Sequence, residues 1–403
     1  QFKKVLTANP AYPEAHYYLG LAYANGGDYV QAKTAFLNAV KDVPQDIRSH
    51  FALATLYMQS RAYDLVIPEA EQVLKLDPNN VQANTLLADV ALIQKQVAQA
   101  EKLSQKILTL SPKNQPALFR MGIIRSIQKK TGDAISFFEK VLLTDVNNID
   151  ALSQIVAIHL QNKKSDKAID RVGQQIVSSP KNPRLYALQG RLYGGVGQLE
   201  KAEERFKQGK LIDPKSLSFY LDLALLYSAQ KRFDEGMLEL ENAIKIDPKF
   251  VQAYMLKGTM NDSRGNLAEA RKAYEKVMEL SPNHPSAANN LAWIYAEQGE
   301  KIDRALELAT IAKENSPENP QISDTLGWVY YKKGLYLKAI SLLEESAEKI
   351  QKNPVIHYHL GMAYSKRGEP GDKNRARQSL QQALKIDPRF SGSDMAKKTL
   401  ESL

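Results

Sequence analysis

Residues 19–44 read LGLAYANGGDYVQAKTAFLNAVKDVP. The stretch holds two helical runs, a break at Asn25-Gly26-Gly27-Asp28 and a closing proline, Pro44. Glycine supplies the positive φ that ends a helix, and proline stops a helix from propagating. The stretch is therefore a helix, a tight turn and a second helix. The same order returns along the chain. Prolines that follow helical runs stand at Pro10, Pro44, Pro78 and Pro112, with Val146 in the same place, then at Pro180, Pro214, Pro248 and Pro282, each step 34 residues. A step of 35 reaches Pro317, the next marker falls on Gln351, and the last is Pro388 after an insertion. Lys130-Thr131-Gly132-Asp133 and Arg264-Gly265-Asn266 are further turn signals between the two runs.

Each repeat is numbered from the third residue after its marker. Position eight then reads Gly20, Ala54, Ala88, Gly122, Val156, Gly190, Ala224, Gly258, Ala292, Gly327 and Gly361. Position twenty reads Ala32, Val66, Ala100, Ala134, Ala168, Ala202, Gly236, Ala270, Ala305, Ala339 and Ala376. Small residues let two helix backbones approach closely where they cross, and a large one would force them apart. Position eleven is tyrosine in seven repeats, at 23, 57, 193, 227, 295, 330 and 364, where the ring fills the gap between neighbours and the hydroxyl reaches a polar partner. One such hairpin cannot bury its apolar face alone, so stacked neighbours must share a continuous core.

Leu19-Gly20-x-x-Tyr23, Ala32, Phe36, Ala39 and Pro44 resemble the tetratricopeptide repeat (TPR) pattern. The resemblance implies an all-α, right-handed superhelical solenoid. It spans eleven full repeats in one array, residues 13–390, with 115–182 the most irregular part. Residues 1–12 are expected to be the second helix of a truncated repeat. Residues 391–403, SGSDMAKKTLESL, are expected to form a capping helix that opens on Ser/Asp capping chemistry. The family's usual Trp at position four is absent; His16, His50, Tyr186, Tyr220 and Tyr254 stand there instead. Repeats three to five carry Ala91, Arg125 and His159 where Tyr is expected, a sign either of drift or of a local change in curvature.

A chain of 403 residues suggests two or three globular domains, a prior the period overrides. No apolar run approaches the ~20 residues of a membrane span. There is no cysteine, which excludes disulfides, thiol catalysis and cysteine-bound zinc in this segment. The net charge of +9 is concentrated: residues 101–210 hold 19 Lys and Arg against 10 Asp and Glu, and the flanking stretches are nearly balanced. A local basic surface attracts an anionic partner.

No catalytic constellation is found. Packing explains His16, His50 and His357 at position four. His357-x-His359 is a poor chelate on a helix, where residues two apart diverge. Gly194-Gly195-Val196-Gly197 lacks the preceding strand and the Gly-Lys-Ser/Thr ending of a phosphate loop, and falls where a turn belongs. Glu203-Glu204 and Glu344-Glu345 suit outer, solvated faces. No enzyme, no cofactor and no metal site is expected.

Binding remains. The resemblance implies that positions 2, 5, 6, 9, 12 and 13 of the first helices line a concave groove. Early repeats place Tyr17, Tyr18, Arg48, Phe51, Thr55, Met58 and Thr85 there. The family's clamp for C-terminal carboxylates needs Lys and Asn, then Asn, then Lys and Arg on three successive first helices, and that set does not occur. In the late repeats Asn289, Asn290, Trp293, Asp324, Thr325, Trp328, Tyr331, Tyr358 and His359 fall on groove positions. Asparagine can pair with both backbone groups of an extended peptide, and aromatics with a polar edge anchor peptides or stack on sugars. The alternative is that position nine, which holds Trp293 and Trp328, packs against the next repeat. Arg120, Arg184 and Arg191 give the middle of the groove a basic lining.

The expected function is a non-enzymatic scaffold holding a peptide or protein segment in its groove. The alternatives are a scaffold for an anionic polysaccharide in exopolysaccharide export, or the substrate-recruiting part of a larger enzyme. Nucleic acid is disfavoured because the stacking residues lie away from the basic repeats. NNLAWIYAEQG (289–299) and DTLGWVYYKKG (324–334) resemble bacterial cell-envelope proteins of this family, including lipoproteins of exopolysaccharide export and protein sorting. That resemblance implies the periplasm or the outer membrane, with the cytoplasm as the alternative. Membrane association would come only through an N-terminal signal or lipid anchor upstream of Gln1.

Overall fold

The computed structural model describes residues 12–299 and 301–403, so the expected half repeat at 1–12 lies, but for Tyr12, outside the described residues. All regular structure among them is α-helical, and none of these helices is long and apolar enough to cross a membrane. The residues form two compact units, 1–212 and 213–403, where the sequence suggests one array.

Unit one contains six hairpins. They are α1 (Pro13–Asn25) with α2 (Tyr29–Asp42), α3 (Ile47–Gln59) with α4 (Tyr63–Leu76), and α5 (Val81–Ile93) with α6 (Val97–Leu110). Then follow α7 (Gln115–Ile127) with α8 (Thr131–Thr144), α9 (Ile149–Gln161) with α10 (Ser165–Ser178), and α11 (Pro183–Gly195) with α12 (Leu199–Ile212). The stretch 115–182 keeps the helix lengths of its neighbours, 13 and 14 residues, despite its unusual position-eleven residues.

Unit two contains five hairpins and a final helix. They are α13 (Leu217–Ala229) with α14 (Phe233–Ile246), α15 (Val251–Ser263) with α16 (Leu267–Leu280), and α17 (Pro285–Gln298) with α18 (Ile302–Asn315). Then come α19 (Pro320–Lys332) with α20 (Tyr336–Lys349), α21 (Pro354–Arg367) with α22 (Asp372–Ile386), and α23 (Ser393–Ser402).

Each hairpin is locked by a size match. A Cβ added to Gly20 would lie 2.5 Å from Cε1 of Phe36, and the same holds for Gly122 with Phe138 and Gly190 with Phe206. Gly258 meets Tyr274 in this way, and Gly327 meets Leu343. The residue sixteen on, a ring in all of these but Leu343, therefore occupies the space that glycine leaves. Where position eight is alanine, the residue sixteen on is smaller than a ring: Ala70, Ser104, Leu240 or Leu308. Val156 faces this rule with Val172. Position twenty is sealed in the interior, with Ala32, Val66, Ala100, Ala134, Ala168 and Ala202 all fully buried in unit one.

The turns use one left-handed residue each. In unit one these are Gly27, Arg61, Lys95, Lys129, Lys163 and Gly197. The glycines singled out from sequence are thus only partly the cause. Gly26 has an ordinary φ of −82°, and Gly132 lies inside α8 while Lys129 takes the strained conformation. Most first helices begin on a side-chain cap two residues after the marker. Asp46, Asn80, Asn114, Asn148 and Asn182 accept a backbone N–H of the first turn in unit one, and His284, Asn319 and Asn353 do so in unit two.

In four repeats the position-four side chain fastens the helix to its own marker. The hydroxyls of Tyr186 and Tyr220 donate to the carbonyls of Pro180 and Pro214 at 2.9 and 2.8 Å. His50 Nε2 and His357 Nε2 do the same to Pro44 and Gln351 at 3.0 and 2.9 Å. The smaller His and Tyr that replace the family's Trp therefore pack and also satisfy an orphan carbonyl. At position eleven, Tyr295 donates to Glu275 at 2.7 Å and Tyr364 to Glu344, as the sequence suggests.

Within each unit, first helices of successive repeats touch directly: α3 with α5 in unit one, and α13 with α15, α17 with α19 and α19 with α21 in unit two. Second helices make no comparable contacts with one another among the described residues. First helices therefore crowd onto the inner face and second helices spread over the outer one. The expected terminal helix is α23, and it packs on α21 and α22 where a further first helix would lie. Its cap differs from the expected Ser/Asp chemistry. Gly392, at φ 106°, starts it, and a Cβ there would strike the Tyr358 ring.

Candidate functional site

In unit one, the inner face of α1, α3 and α5 forms a cleft of about 500 Å³. Tyr17 and Phe51 at position five, Leu21 and Thr55 at position nine, and Ala52 at position six line it. Asn25, Gln59, Asn80 and Gln82 supply amide groups along its rim. The period brings these side chains together, because positions 2, 5, 9, 12 and 13 of one helix lie on one face. Tyr17 is fixed edge-on to Tyr18, centroids 5.3 Å apart, and tilted against Phe36 at 6.1 Å. The Arg48 guanidinium lies 5.1 Å from the Tyr17 ring centre and pairs with Asp46 at 3.0 Å. Its charge is therefore already matched, and what it adds to the cleft is a flat cationic wall.

A second cleft of about 470 Å³ opens along α5, α7 and α9, lined by Leu92, Phe119, Ile123, Asp89 and Asp150. Arg120 also lines it, but not as the expected basic groove residue. It is 5% exposed, and its Nε and Nη2 bind Asp89 Oδ1 at 2.8 and 2.6 Å. A buried guanidinium needs such a carboxylate, so Arg120 offers no free charge to a polymer. Arg184 and Arg191 are exposed.

In unit two, the expected aromatic site is largely a packed core. Trp328 is 4% exposed. Its ring stacks on Tyr331, centroids 4.5 Å apart, and on His359 at 4.0 Å, while Nε1 donates to Glu297 at 2.7 Å. Lys332 Nζ lies 5.0 Å from the same ring and 3.5 Å from Glu297. His359 is 1% exposed and its Nδ1 lies 2.9 Å from Asp324 Oδ1, with Asp324 buried as well. Thr325 is buried and donates to the Gln321 carbonyl. Four expected contact residues, Asp324, Thr325, Trp328 and His359, are therefore corrected to interior ones. Position nine of one first helix is covered by position six of the next, so the packing alternative holds for Trp328.

What stays accessible is narrower. Trp293 is half-buried, tilted against His359 at 5.6 Å. Asn289 and Asn290 are half-buried beside it. Asn289 Nδ2 donates to Asn290 Oδ1 at 3.3 Å, and Asn290 Nδ2 to the Tyr274 hydroxyl at 3.1 Å, while the unpaired Asn289 Oδ1 is itself buried and out of a ligand's reach. Tyr331 and Tyr358 are half-buried, Tyr358 against Phe390 at 5.5 Å. Burial pushes the Tyr274 and Tyr358 phenols up to about 12, and it raises Tyr331 too. These hydroxyls therefore stay neutral at any ordinary pH.

The early cleft was visible in sequence as aromatic residues at position five in repeats one and two, Tyr17 and Phe51. Its weight was missed beside the two tryptophans. Tetratricopeptide repeat profiles match residues 1–47, 51–115 and 221–285, residues 263–329, and residues 357–389, together more than half of the chain. No curated protein matches the chain. Similar solved structures include the Cut9–Hcn1 hetero-tetramer of the APC/C, 16% identical over 99% of this chain and 91% of that chain, with a TM-score of 0.48. Yeast Tom70 is 17% identical over 97% and 88%, at 0.40, and PilF of Pseudomonas aeruginosa is 22% identical over 51% and 94%, at 0.40. Likeness of this degree says nothing about partners. By its matched repeats and by the hairpin geometry that fills both units, the chain belongs to the tetratricopeptide repeat family.

Proposed function

We propose that the chain is a non-enzymatic scaffold that holds an extended segment of a partner protein on its inner face, chiefly in the cleft of α1, α3 and α5. The observation that carries this reading is the make-up of that cleft. Tyr17 and Phe51 form an apolar wall, and Gln59 and Gln82 stand at its edge. A peptide bound there places one apolar or aromatic side chain against the two rings. Its main-chain N–H and C=O groups meet the amides, which can serve as donor and acceptor alike. Aromatic anchors in such pockets dominate binding energy. In unit two, the half-buried Trp293 provides a second, shallower apolar contact. Polysaccharide as the ligand loses support, because Arg120 is already paired. The proposed setting is the bacterial periplasm or outer-membrane surface, supported by the envelope-protein resemblance of residues 289–299 and 324–334.

A peptide array probed with the purified chain tests the reading. Bound peptides should share an apolar or aromatic residue, and Phe51→Ala should weaken them by about tenfold or more. Binding that ignores Phe51→Ala overturns the cleft as the site.

A further inference from the structure

The second inner cleft of unit one, along α5, α7 and α9, differs in kind from the anchor cleft of α1, α3 and α5. Its floor is apolar, with Leu92, Phe119 and Ile123 half-buried. Its charged lining is Asp89, Arg120 and Asp150. Arg120 lies beneath the surface, 5% exposed, whereas Asp150 is exposed and the Asp89 side chain is 36% exposed. Both contacts of Arg120 go to Asp89 Oδ1, which leaves Oδ2 over. Asp150 and Arg184 share position two on α9 and α11 but form no ion pair among the described residues, whereas Glu14 and Arg48 at that position on α1 and α3 lie 3.7 Å apart. The Asp150 carboxylate is therefore open to a ligand.

The charge nearby does not cancel these two carboxylates. Arg125 of α7 pairs with Glu101 of α6 at 2.8 Å. Burial, together with Lys167 and Lys164, lowers the His159 imidazole of α9, which is therefore neutral at pH 7. Lys113 and Asp145, in the flanking loops, are one of each sign, and neither lines the cleft. The turn lysines Lys95, Lys129 and Lys163 follow the C-terminal ends of the three first helices, about 20 Å along the axis from the end that holds Asp150. The cleft thus presents two carboxylates over an apolar floor, within a stretch that is basic as a whole.

We propose, building on a partner segment held on the inner face, that this cleft takes a Lys or Arg side chain of that same segment. The segment then carries a basic residue to one side of its apolar anchor. Gln82 of α5 lines the anchor cleft, and Asp89 and Leu92 of the same helix line the second, so a segment that leaves the first over α5 enters the other. A long basic side chain lays its methylenes on an apolar surface and keeps its charge at the rim. Here the methylenes cover Phe119 and Ile123, and the charge meets Asp150 and Asp89 Oδ2. The face of the Phe119 ring adds attraction for the cation. An acidic side chain would meet both carboxylates, with Arg120 already bonded beneath them. Because the carboxylates lie on one side of the anchor only, they also set the direction in which the segment runs.

The test uses fluorescent Ser-rich 17-residue peptides with a central Phe, and with Lys, Ala or Glu at one place two to eight residues to either side. Anisotropy with the full chain reads their binding. At one place or two adjoining ones, on one side of the Phe, the Lys peptide should bind about fivefold tighter than the Ala peptide, and the Glu peptide more weakly than both. The chain's net charge of +9 attracts the Glu peptides, so a preference for Lys cannot come from long-range attraction. Asp150→Lys should turn the preference at that place toward Glu, with unchanged helical circular dichroism. Arg48 and Arg184 already hold this register, so the variant is expected to fold. Phe51→Ala should weaken every peptide. Lys, Ala and Glu peptides that bind alike, while Phe51→Ala still weakens them, overturn the basic subsite and leave the anchor cleft standing. A preference for Lys that Asp150→Lys leaves unchanged overturns it as well, and so does spermidine bound through Asp150 where the peptides show no preference. No binding of any peptide overturns the subsite and the anchor cleft together.

Discussion

The ring of Phe138 fills the place that a Cβ on Gly122 would need, 2.5 Å from the nearest ring carbon. The pair closes the fourth hairpin, and neither residue can grow without moving a helix. Gly122→Ala is therefore expected to lower stability by about 1–3 kcal/mol. Adding Phe138→Leu should recover much of the loss, because Ala224 with Leu240 and Ala292 with Leu308 already combine alanine and leucine at these two positions. Urea midpoints of the two single variants and the double variant give the coupling. Simple additivity would refute the size match.

Lys95 sits at φ 61°, a backbone conformation that favours glycine. Lys95→Gly should stabilise unit one by about 0.5–1 kcal/mol, since relief of side-chain strain outweighs the extra freedom of the unfolded chain. The same change at Lys102, inside α6, should destabilise by about 1 kcal/mol. Thermal melting of the two variants checks the opposite signs.

The two tryptophans are expected to report different surroundings. Trp293→Phe leaves only the buried, stacked Trp328, whose emission should be blue-shifted and resistant to acrylamide. Trp328→Phe leaves the half-exposed Trp293, which should be redder and readily quenched. Trp328→Ala should lower stability by about 3–5 kcal/mol, as loss of a buried large ring does. Equal quenching in the two single-tryptophan variants would contradict the packing of Trp328.

Alkaline pH should weaken unit two. Burial holds the Tyr274 phenol at about 12, while the unfolded chain ionises near the ordinary value of 10.0. A folded value above the unfolded one gives stability that is complete below pH 10 and lost as pH rises toward 12. Tyr274→Phe should therefore flatten the fall in melting temperature between pH 9.5 and 11. The phenol absorbance near 295 nm should show a late-titrating fraction in the folded wild type.

The repeat was legible because its signals are backbone demands. Gly20, Ala32 and Pro44 each exclude most other residues at their places, and a 34-residue step makes them visible without neighbours. The site was legible only in part. Whether Trp328 meets solvent depends on His359, one repeat later, and no single-helix register contains that information. Arg120 looked free because Asp89, its partner, lies one repeat earlier. Two signals were present and unread. Asx residues recur two places after the marker as helix caps, and Asp89 and Asp150, at positions nine and two, put two carboxylates on the groove face.

The match between position eight and the residue sixteen on closes within a single hairpin. Copying or deleting a whole hairpin therefore carries both halves of the match together. An array built this way can change length by unequal recombination without a new interior having to be found at each step. The glycine–ring pairs at Gly20, Gly122, Gly190 and Gly258 and the alanine pairs between them would then be heritable dialects, each able to spread by duplication of the hairpin that holds it.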